Sequence, residues 1–538
     1  MAPRTHIAVI GGGISGLSTA WYLARTAPPS VAITLLESSK RTGGWISSDR
    51  VKDPAHPGGT ILLERGPRSL RPQGISGLNT LEMVGDLGIE SSLVPVSKSS
   101  PAAKNRFIYS RNKLHKLPSS IMGALTHPLL GPKLPRAGLD LVVANSGQED
   151  ESIQEFVTRR FGKGFSDDLI SAMVHGIYAG DVSKLSVRST FGMLYHLEKD
   201  YRSVALGLLM GGGGPIETPW DHKLKEGITK RMPDLGDFVS KTSIYSFTDG
   251  LEVLSRALEK DLKNSGRVDI RKDSRVKKLD FDLSRRTVKI SMKNHEPLSV
   301  DHVIAALPPR KLHSLLAKDH PELVYDPSVT VAVVNLVYSS ENAKLASPGF
   351  GYLIPRSEDS TVKHNGLLGV VYDSCSITSQ DQGPSRDHTL KLTAMIGGHM
   401  FDEVTSGHNQ NNEELESFFI ETAKETVRKH LQIEAAPELV KAHIHRECIP
   451  QYLVGHLERM QTLDERLRSD YDGLLAVTGA GYLGVSVNDC IKNAREVAEA
   501  VLSRFQEDEG EEDSEEKKEA KLVGKHEAVT GLERSWFL

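Results

Sequence analysis

The stretch His6-Ile7-Ala8-Val9-Ile10-Gly11-Gly12-Gly13-Ile14-Ser15-Gly16-Leu17 decides the fold. Residues 6–10 form a short, mostly apolar run of strand length that feeds straight into a glycine turn. A helical pattern follows, with Leu17, Ala20, Trp21, Leu23 and Ala24 at helical spacing. A second strand, Val31 to Leu36, ends on an acid, Glu37. Strand, glycine turn, helix, strand and acid make a dinucleotide-binding βαβ unit. Gly11 makes the tight turn, Gly13 admits a pyrophosphate to the backbone, and Gly16 lets helix and strand pack closely. The helix N-terminus offers free N–H groups and a positive dipole end to phosphates. Glu37 can accept hydrogen bonds from ribose hydroxyls. The glycine spacing alone is weak in a chain with 47 glycines. With strand, helix and acid all in place it becomes specific.

Composition bounds the rest. A chain of 538 residues has room for two or three domains. Charged residues at 25% and hydrophobic ones at 38% are ordinary for a globular protein. A net charge of -4 gives no footprint for nucleic acid. Cys375, Cys448 and Cys490 form no C-x-x-C pair and read as reduced core residues. No apolar run approaches the roughly 18 residues a spanning helix needs. Met1 to Thr5 lead directly into the first strand, so no cleavable presequence is expected. There is no G-x-S-x-G elbow, H-E-x-x-H motif or lysine-bearing phosphate loop. His443 and His445 alternate as on a sheet face, so no metal is expected.

Past the βαβ unit, Leu62 to Ser69 contains Gly66-Pro67, a rigid bend that is either a surface turn or a support for a flat ring. A helix is predicted from Thr80 to Leu87. Asn105-Arg106-Phe107-Ile108-Tyr109 reads as a strand carrying one cation. From about 117 to 240, prolines interrupt apolar pieces, and helical patterns occur near 152–161, 166–174 and 189–197. This part reads as a helical subdomain, with a peripheral membrane surface as the alternative. Residues 241–308 return to an α/β pattern, with Asp249 as the expected cap of a helix running through Leu258. Strands dominate 329–400, and 413–431 reads as a half-buried helix. Leu474 to Thr478 is a strand, Gly479 to Gly484 a second glycine loop, and Val485 to Leu502 a helix capped by Ser486, Asn488 or Asp489. Gln506 to Leu538, rich in acids, is expected to be a solvated tail without chemistry.

The block Arg41-Thr42-Gly43-Gly44-Trp45 after Glu37 resembles flavoproteins of the amine oxidase and phytoene desaturase group. Ala102 to Phe107, Arg65-Gly66-Pro67-Arg68, Gly349-Phe350-Gly351, Val371-Tyr372-Asp373-Ser374, Cys448 to Tyr452 and Gly484 to Cys490 narrow this. From Ile7 to Leu502 the chain resembles the oxygen-dependent protoporphyrinogen oxidase family. The resemblance implies an α/β and α+β fold: a Rossmann-like FAD-binding domain of the p-hydroxybenzoate hydroxylase/amine oxidase type, a mixed-sheet substrate domain and a helical membrane-binding insertion. The FAD domain would comprise 1–100, 241–308 and 471–505. The substrate domain would comprise 101–116 and 309–470, the insertion 117–240, and the acidic tail 506–538.

One non-covalent FAD is implied, held by Gly11, Gly12, Gly13, Ile14, Ser15, Gly16, Glu37, Ser38, Arg41, Gly44 and Trp45. Further contacts are Gly66, Pro67, Arg68, Ser69, Val276, Ala480, Val485, Ser486 and Val487. Arg106 would pair with a substrate propionate, while Phe350, Gly351, Leu353 and Met395 would sandwich the macrocycle. Leu457 replaces an aromatic residue of some members and is assigned nothing. The second glycine loop carries no acid, so ribityl contacts there fall to backbone. The implied reaction is oxidation of protoporphyrinogen IX by hydride transfer to the flavin, with molecular oxygen as acceptor and hydrogen peroxide as product (EC 1.3.3). No protein group is assigned as catalytic, since the cofactor carries the chemistry. The implied setting is haem biosynthesis at the mitochondrial inner membrane, peripherally bound, as a homodimer with ferrochelatase as a partner and with no nucleic acid. Another flavin oxidase, acting on polyamines or carotenoid-like substrates, and a non-catalytic FAD scaffold are the rival readings.

Overall fold

The computed structural model describes residues 5–118, 121–143, 145–214, 217–358, 364–409, 411–507 and 529–538. A five-stranded parallel sheet forms from β1 (Thr5–Ile10), β2 (Val31–Leu36), β3 (Val268–Arg271), β4 (His302–Ala305) and β5 (Leu475–Val477). Their order is β5-β4-β1-β2-β3. The apolar run of β1 is buried from Ile7 to Ile10, as a parallel strand covered on both faces requires. On one face pack α1 (Ile14–Thr26), α2 (Glu252–Ser265) and α3 (Val487–Glu507), through Leu17, Leu254 and Ile491 among others. The other face is closed by an antiparallel ribbon, Val276–Asp282, Thr287–Met292 and His295–Val300, and by the helix His456–Tyr471.

A seven-stranded mixed sheet stands beside it, in the order Leu439–Pro450, Ser328–Ser339, Thr389–Gly398, Leu367–Tyr372, Gly351–Leu353, Phe107–Ser110, Lys113–Lys116. Phe107–Ser110 runs parallel to Gly351–Leu353 and pairs on its other side with the edge strand Lys113–Lys116, and Arg106 directly precedes it. The helix Asn412–Leu431 covers one face through Leu415, Phe419 and Ala423, in keeping with its half-buried pattern. The other face looks toward the nucleotide sheet. Helices between 121 and 241 build a third part around Ile153, Phe156, Val174 and Leu185.

Three sequence expectations change. The helix expected over 80–87 spans Gly74–Asp86. The helix expected to be capped by Asp249 begins at Glu252, and Asp249 pairs with Arg50 at 2.7 Å instead. Its first N–H groups are taken from a distance: Leu251 donates to the Glu64 carboxylate (2.7 Å) and Glu252 to the Ser48 hydroxyl (3.2 Å). Tertiary acceptors have replaced the local cap.

The third change concerns the expected tail at 506–538. Residues 508–528 lie outside the described residues, but 529–538 pack against the protein. The Thr530 carbonyl accepts the Val477 N–H at 2.7 Å, and Leu532 is 0% exposed in the core under the ribbon. Arg534 meets buried Asp221 at 2.9 Å, and the Trp536 indole donates to Asp464 at 2.9 Å. The acidic run dominated the composition and hid an apolar, pairing decapeptide behind it.

Candidate functional site

The first glycine turn is built for close approach. Gly11 has φ +107°, and a Cβ there would lie 2.4 Å from the Ala306 carbonyl oxygen. A Cβ on Gly16 would lie 1.8 Å from the Gly11 oxygen, so helix and turn touch. Above Gly13 there is room, the nearest atom to a Cβ being Gly44 Cα at 3.9 Å. Gly13 caps α1 without any side-chain acceptor, which leaves the first-turn N–H groups of Ile14, Ser15 and Gly16 to an anion. Glu37 accepts from the Gly12 N–H (2.7 Å), the Ser39 N–H (2.7 Å) and the Ser38 hydroxyl (3.3 Å). The acid is thereby fixed beside the turn. Ser274 donates to the Glu37 carbonyl at 2.8 Å, which brings the segment of Val276 alongside, with Val276 itself buried in the ribbon core.

The next loop laces onto this turn. The Gly43 N–H donates to the Gly12 carbonyl at 2.8 Å. Arg41 donates to the carbonyls of Thr42 (3.1 Å), Gly44 (2.5 Å) and Ile46 (3.1 Å). Its guanidinium shapes the loop from within. Trp45 is 44% exposed and meets His445 edge-on at 5.4 Å. Gly66 sits against Trp45, where a Cβ would be 2.4 Å from the Trp45 carbonyl oxygen.

Behind Gly66, the half-buried Pro67-Arg68-Ser69 loop is pinned to the large sheet. Arg68 donates to Asp373 at 2.8 Å and keeps one buried nitrogen without a partner. Thr393 donates to Asp373 (2.6 Å), and Asn335 donates to Thr393 (2.9 Å) and to the Glu64 carbonyl (3.3 Å). Burial pushes the Glu64 carboxyl up to about 7, against the donors Ser48 and Leu251 that favour its charged form.

The second glycine loop is held by a residue to which the sequence assigned no role. The Tyr452 hydroxyl donates to the Ala480 carbonyl (2.6 Å) and accepts from the Gly484 N–H (2.8 Å). Burial raises its pKa well above the usual phenol range, so it stays a neutral donor. His456 stacks on it at 4.0 Å and bridges Asp326 (2.6 Å) and the Tyr482 carbonyl (2.6 Å). Only the quoted run Cys448 to Tyr452 hinted at this. Ser486 accepts the Asp489 N–H at 3.1 Å and so caps α3. Val485 faces the core of the helical part and Val487 that of the nucleotide sheet. The Thr478 hydroxyl and the Asn488 side-chain oxygen are buried without partners. With the orphaned Arg68 nitrogen, the free helix end and the acid, these groups fit an extended dinucleotide carrying polar edges.

The substrate side is apolar. Leu353, Gly369, Met395 and Val333 follow one another directly across four strands, on the face toward the nucleotide loops. A Cβ on Gly369 would lie 2.9 Å from Leu353 Cδ2, so the Leu353 side chain lies over this glycine. Gly351 has φ +135° and would place a Cβ 2.2 Å from the Val370 carbonyl oxygen. Phe350 packs in a separate cluster with Ala102, Ile244 and Ile377, so the expected sandwich residues border one face without touching as a block. The helix Ser171–Tyr178 closes the end of the sheet: a Cβ on Gly176 would lie 2.9 Å from Leu353. Arg106 adjoins this face through Asn105, whose carbonyl accepts the Phe350 N–H at 2.9 Å. His443 and His445 lie on the same sheet face, His445 donating to the Arg65 carbonyl at 2.6 Å.

Comparison with known proteins agrees with this geometry. The model of the family described as flavin containing amine oxidoreductase matches residues 14–502. The protoporphyrinogen oxidase of Schizosaccharomyces pombe is 35% identical over 506 residues, spanning 92% of this chain and 98% of the relative. That of Homo sapiens is 36% identical over 502 residues, again 92% and 98%. A solved structure from Exiguobacterium sp. 255-15 superposes with TM-score 0.69 at 22% identity, covering 94% of this chain and 100% of that one, and supports the fold.

Proposed function

Because the chain belongs to the flavin containing amine oxidoreductase family, within its protoporphyrinogen oxidase branch, we propose that it oxidises protoporphyrinogen IX to protoporphyrin IX. The cofactor class is a flavin; our reading is one non-covalent FAD, with molecular oxygen as acceptor and hydrogen peroxide as product. The observation that carries this is the pairing of a glycine turn with free helix N–H groups and an acid, suited to a dinucleotide, with an apolar sheet face running Leu353-Gly369-Met395-Val333.

When bound, the flavin supplies the hydride acceptor. The protein's part is placement. The free N–H groups of α1 and the Glu37 carboxylate hold the phosphates and ribose. Loops 43–45 and 66–69, one shaped by Arg41 and the other anchored by Arg68 and Asp373, would hold the ring when it is bound. The row Leu353-Gly369-Met395 orients the macrocycle and excludes water from the methylene carbon that reacts. The electron-rich pyrroles assist loss of hydride, so no acid–base pair is required of the protein.

The membrane reading rests on exposure. Among the described residues, twelve of the eighteen exposed large apolar side chains lie between Met122 and Met210, Leu209 at 88% and Val142 at 79% being the extremes. No helix among the described residues is long and apolar enough to cross a bilayer. We read this surface as resting on the mitochondrial inner membrane. The homodimer and the hand-over to ferrochelatase rest on the resemblance alone.

The test is an anaerobic titration of the purified protein with protoporphyrinogen IX, followed by visible absorbance and porphyrin fluorescence. Bleaching of a flavin band with stoichiometric porphyrin fluorescence is expected. A flavin band that persists would sink the substrate assignment. A folded protein with no flavin band would sink the cofactor assignment as well.

A further inference from the structure

Arg106 has a counterpart across the mouth of the substrate face. Arg71 directly follows Leu70, which exchanges two backbone hydrogen bonds with Tyr245 (2.8 and 2.9 Å), and two residues on, Gln73 donates to the Thr242 carbonyl at 3.1 Å. The Arg71 carbonyl itself accepts from Asn488 at 2.8 Å, at the start of α3. Its backbone is therefore fixed along the strand Thr242–Phe247. From that strand, Ile244 packs into the cluster of Ala102, Ile377 and Phe350. Arg106 reaches the same cluster from the other side, through the bond between the Asn105 carbonyl and the Phe350 N–H. Two arginines, one from each side of the site, thus flank Phe350.

Neither guanidinium has a hydrogen-bond or ion-pair partner among the described residues, and both side chains are exposed. They feel each other: partial burial and then the Arg71 charge hold Arg106 below the usual arginine range. The acids of these walls are already engaged. Asp373 takes Arg68 and Thr393. Asp489, next to Asn488, takes Ser76 (2.9 Å) and Ser486 (2.6 Å). Two like charges held near one another without a carboxylate between them form an arrangement that a ligand with anionic groups at matching spacing relieves.

We propose that Arg71 and Arg106 form a two-cation clamp for a ligand with two carboxylates on one edge, each guanidinium taking one carboxylate. This deepens the porphyrinogen reading and rests on it. The two propionates of protoporphyrinogen IX sit on adjacent pyrroles of a single edge, with the apolar vinyl edge opposite. Clamping that edge between Arg71 and Arg106 turns the vinyl edge inward along the sheet face. Arg71 is then a specificity-determining residue that reads the number and side of the carboxylates.

The experiment compares steady-state kinetics of the flavin-loaded protein on protoporphyrinogen IX and on its dimethyl ester. Arg71→Ala should raise KM for the diacid roughly tenfold to a hundredfold, the range spanned by a charge-assisted hydrogen bond, with kcat within about twofold. KM for the ester should not move. Arg71→Lys, which keeps the charge, should recover part of the loss, as a merely structural role would not. In the double variant with Arg106→Ala, diacid and ester should become indistinguishable. An unchanged KM for Arg71→Ala, or equal losses on both substrates, would overturn the clamp while leaving the oxidase reading intact. A wild-type protein that turns over neither porphyrinogen would overturn both. Flavin absorbance and melting temperature of each variant report folding, and should Arg71→Ala fail them, Arg71→Gln carries the same comparison.

Discussion

Arg160 and Arg106 put the same side chain to opposite uses. Arg160 is 0% exposed in the helical part, with Asp140 at 3.0 Å, Asn145 at 2.8 Å and Glu198 all receiving its N–H groups. Arg106, at the mouth of the substrate face, has no such partner among the described residues. A buried guanidinium is tolerable only when the fold supplies its acceptors. Where the fold withholds them at a solvent-reachable rim, the charge is available to a ligand. The contrast separates arginines that hold the protein together from arginines that hold something else.

The comparison breaks most visibly if Arg160 is dispensable. Arg160→Met leaves Asp140 buried without its cation and Glu198 with Arg159 alone, and should cost about 3–5 kcal/mol of stability. Chemical denaturation followed by circular dichroism checks this, with Arg106→Met in parallel. The second variant should denature like wild type, because its side chain has no internal partner to strand. Equal losses in the two would erase the distinction.

A second, smaller effect concerns the C-terminal decapeptide, which again supplies a charge to a buried acid. Asp221 is 0% exposed and meets Lys492 (2.9 Å) and Arg534 (2.9 Å), which together hold its carboxyl far below the usual range against the opposing effect of burial. Removing residues 529–538 leaves Lys492 in place but strips Arg534 and the buried Leu532. The loss of Leu532 burial alone is worth about 2 kcal/mol, so the truncated chain should melt at least about 2 °C lower. A synthetic peptide of residues 529–538 added in trans should restore part of the melting temperature. No change on truncation would mean the segment merely lies on the surface.

These two regions also mark what the sequence could and could not reveal. The nucleotide sheet was legible from β1 to Glu37 because strand, turn, helix and acid are consecutive and each constrains the next. The decapeptide was not, because its partners Asp221 and Asp464 lie far along the chain and nothing near Leu532 announces them. Arg41 was legible as part of the flavin-associated block, but its use as a brace for the carbonyls of 42–46 emerges only from the folded loop. Tyr452 showed only as the end of the run Cys448 to Tyr452, and Arg71 carried no local sign at all. Their roles depend on which loop the fold sets opposite a hydroxyl or a guanidinium. Arg106 stood out for the converse reason, as a single cation entering an apolar strand.

The acid Glu64 extends the comparison to a negative charge. Its folded-state value of about 7, raised chiefly by burial, exceeds that of an exposed glutamate near 4.5. The folded protein therefore binds a proton more tightly than the unfolded chain, and this group's contribution to stability is greatest below about 4.5 and is lost as pH rises toward 7. Glu64→Gln should be most favourable, relative to wild type, above pH 7 and least so near pH 5. Melting temperatures of both proteins between pH 5 and 8 test the sign, and a constant difference would show that Glu64 does not titrate in that window.

The smallest effect distinguishes a local cap from a tertiary one at the start of α2. Asp249 stands where sequence places an N-cap, yet it is a half-exposed partner of Arg50, its side chain 56% exposed. The Ser48 hydroxyl, from the strand Ser48–Lys52, accepts the Glu252 N–H, and the Ser48 N–H donates back to the Glu252 carboxylate at 2.9 Å. That reciprocal pair is the bonding pattern of a capping box supplied by a different strand. Asp249→Ala should then cost no more than about 0.5 kcal/mol, as for an exposed ion pair. Ser48→Ala should cost about 1 kcal/mol, as for a lost cap, and more if the Glu64 carboxylate, to which Ser48 also donates at 2.6 Å, is left short of a donor. Urea denaturation of the two variants resolves a difference of this size. If Asp249→Ala proved the costlier, the helix would be capped locally after all, and the tertiary contacts at Ser48 would be a consequence of the helix start and not its cause.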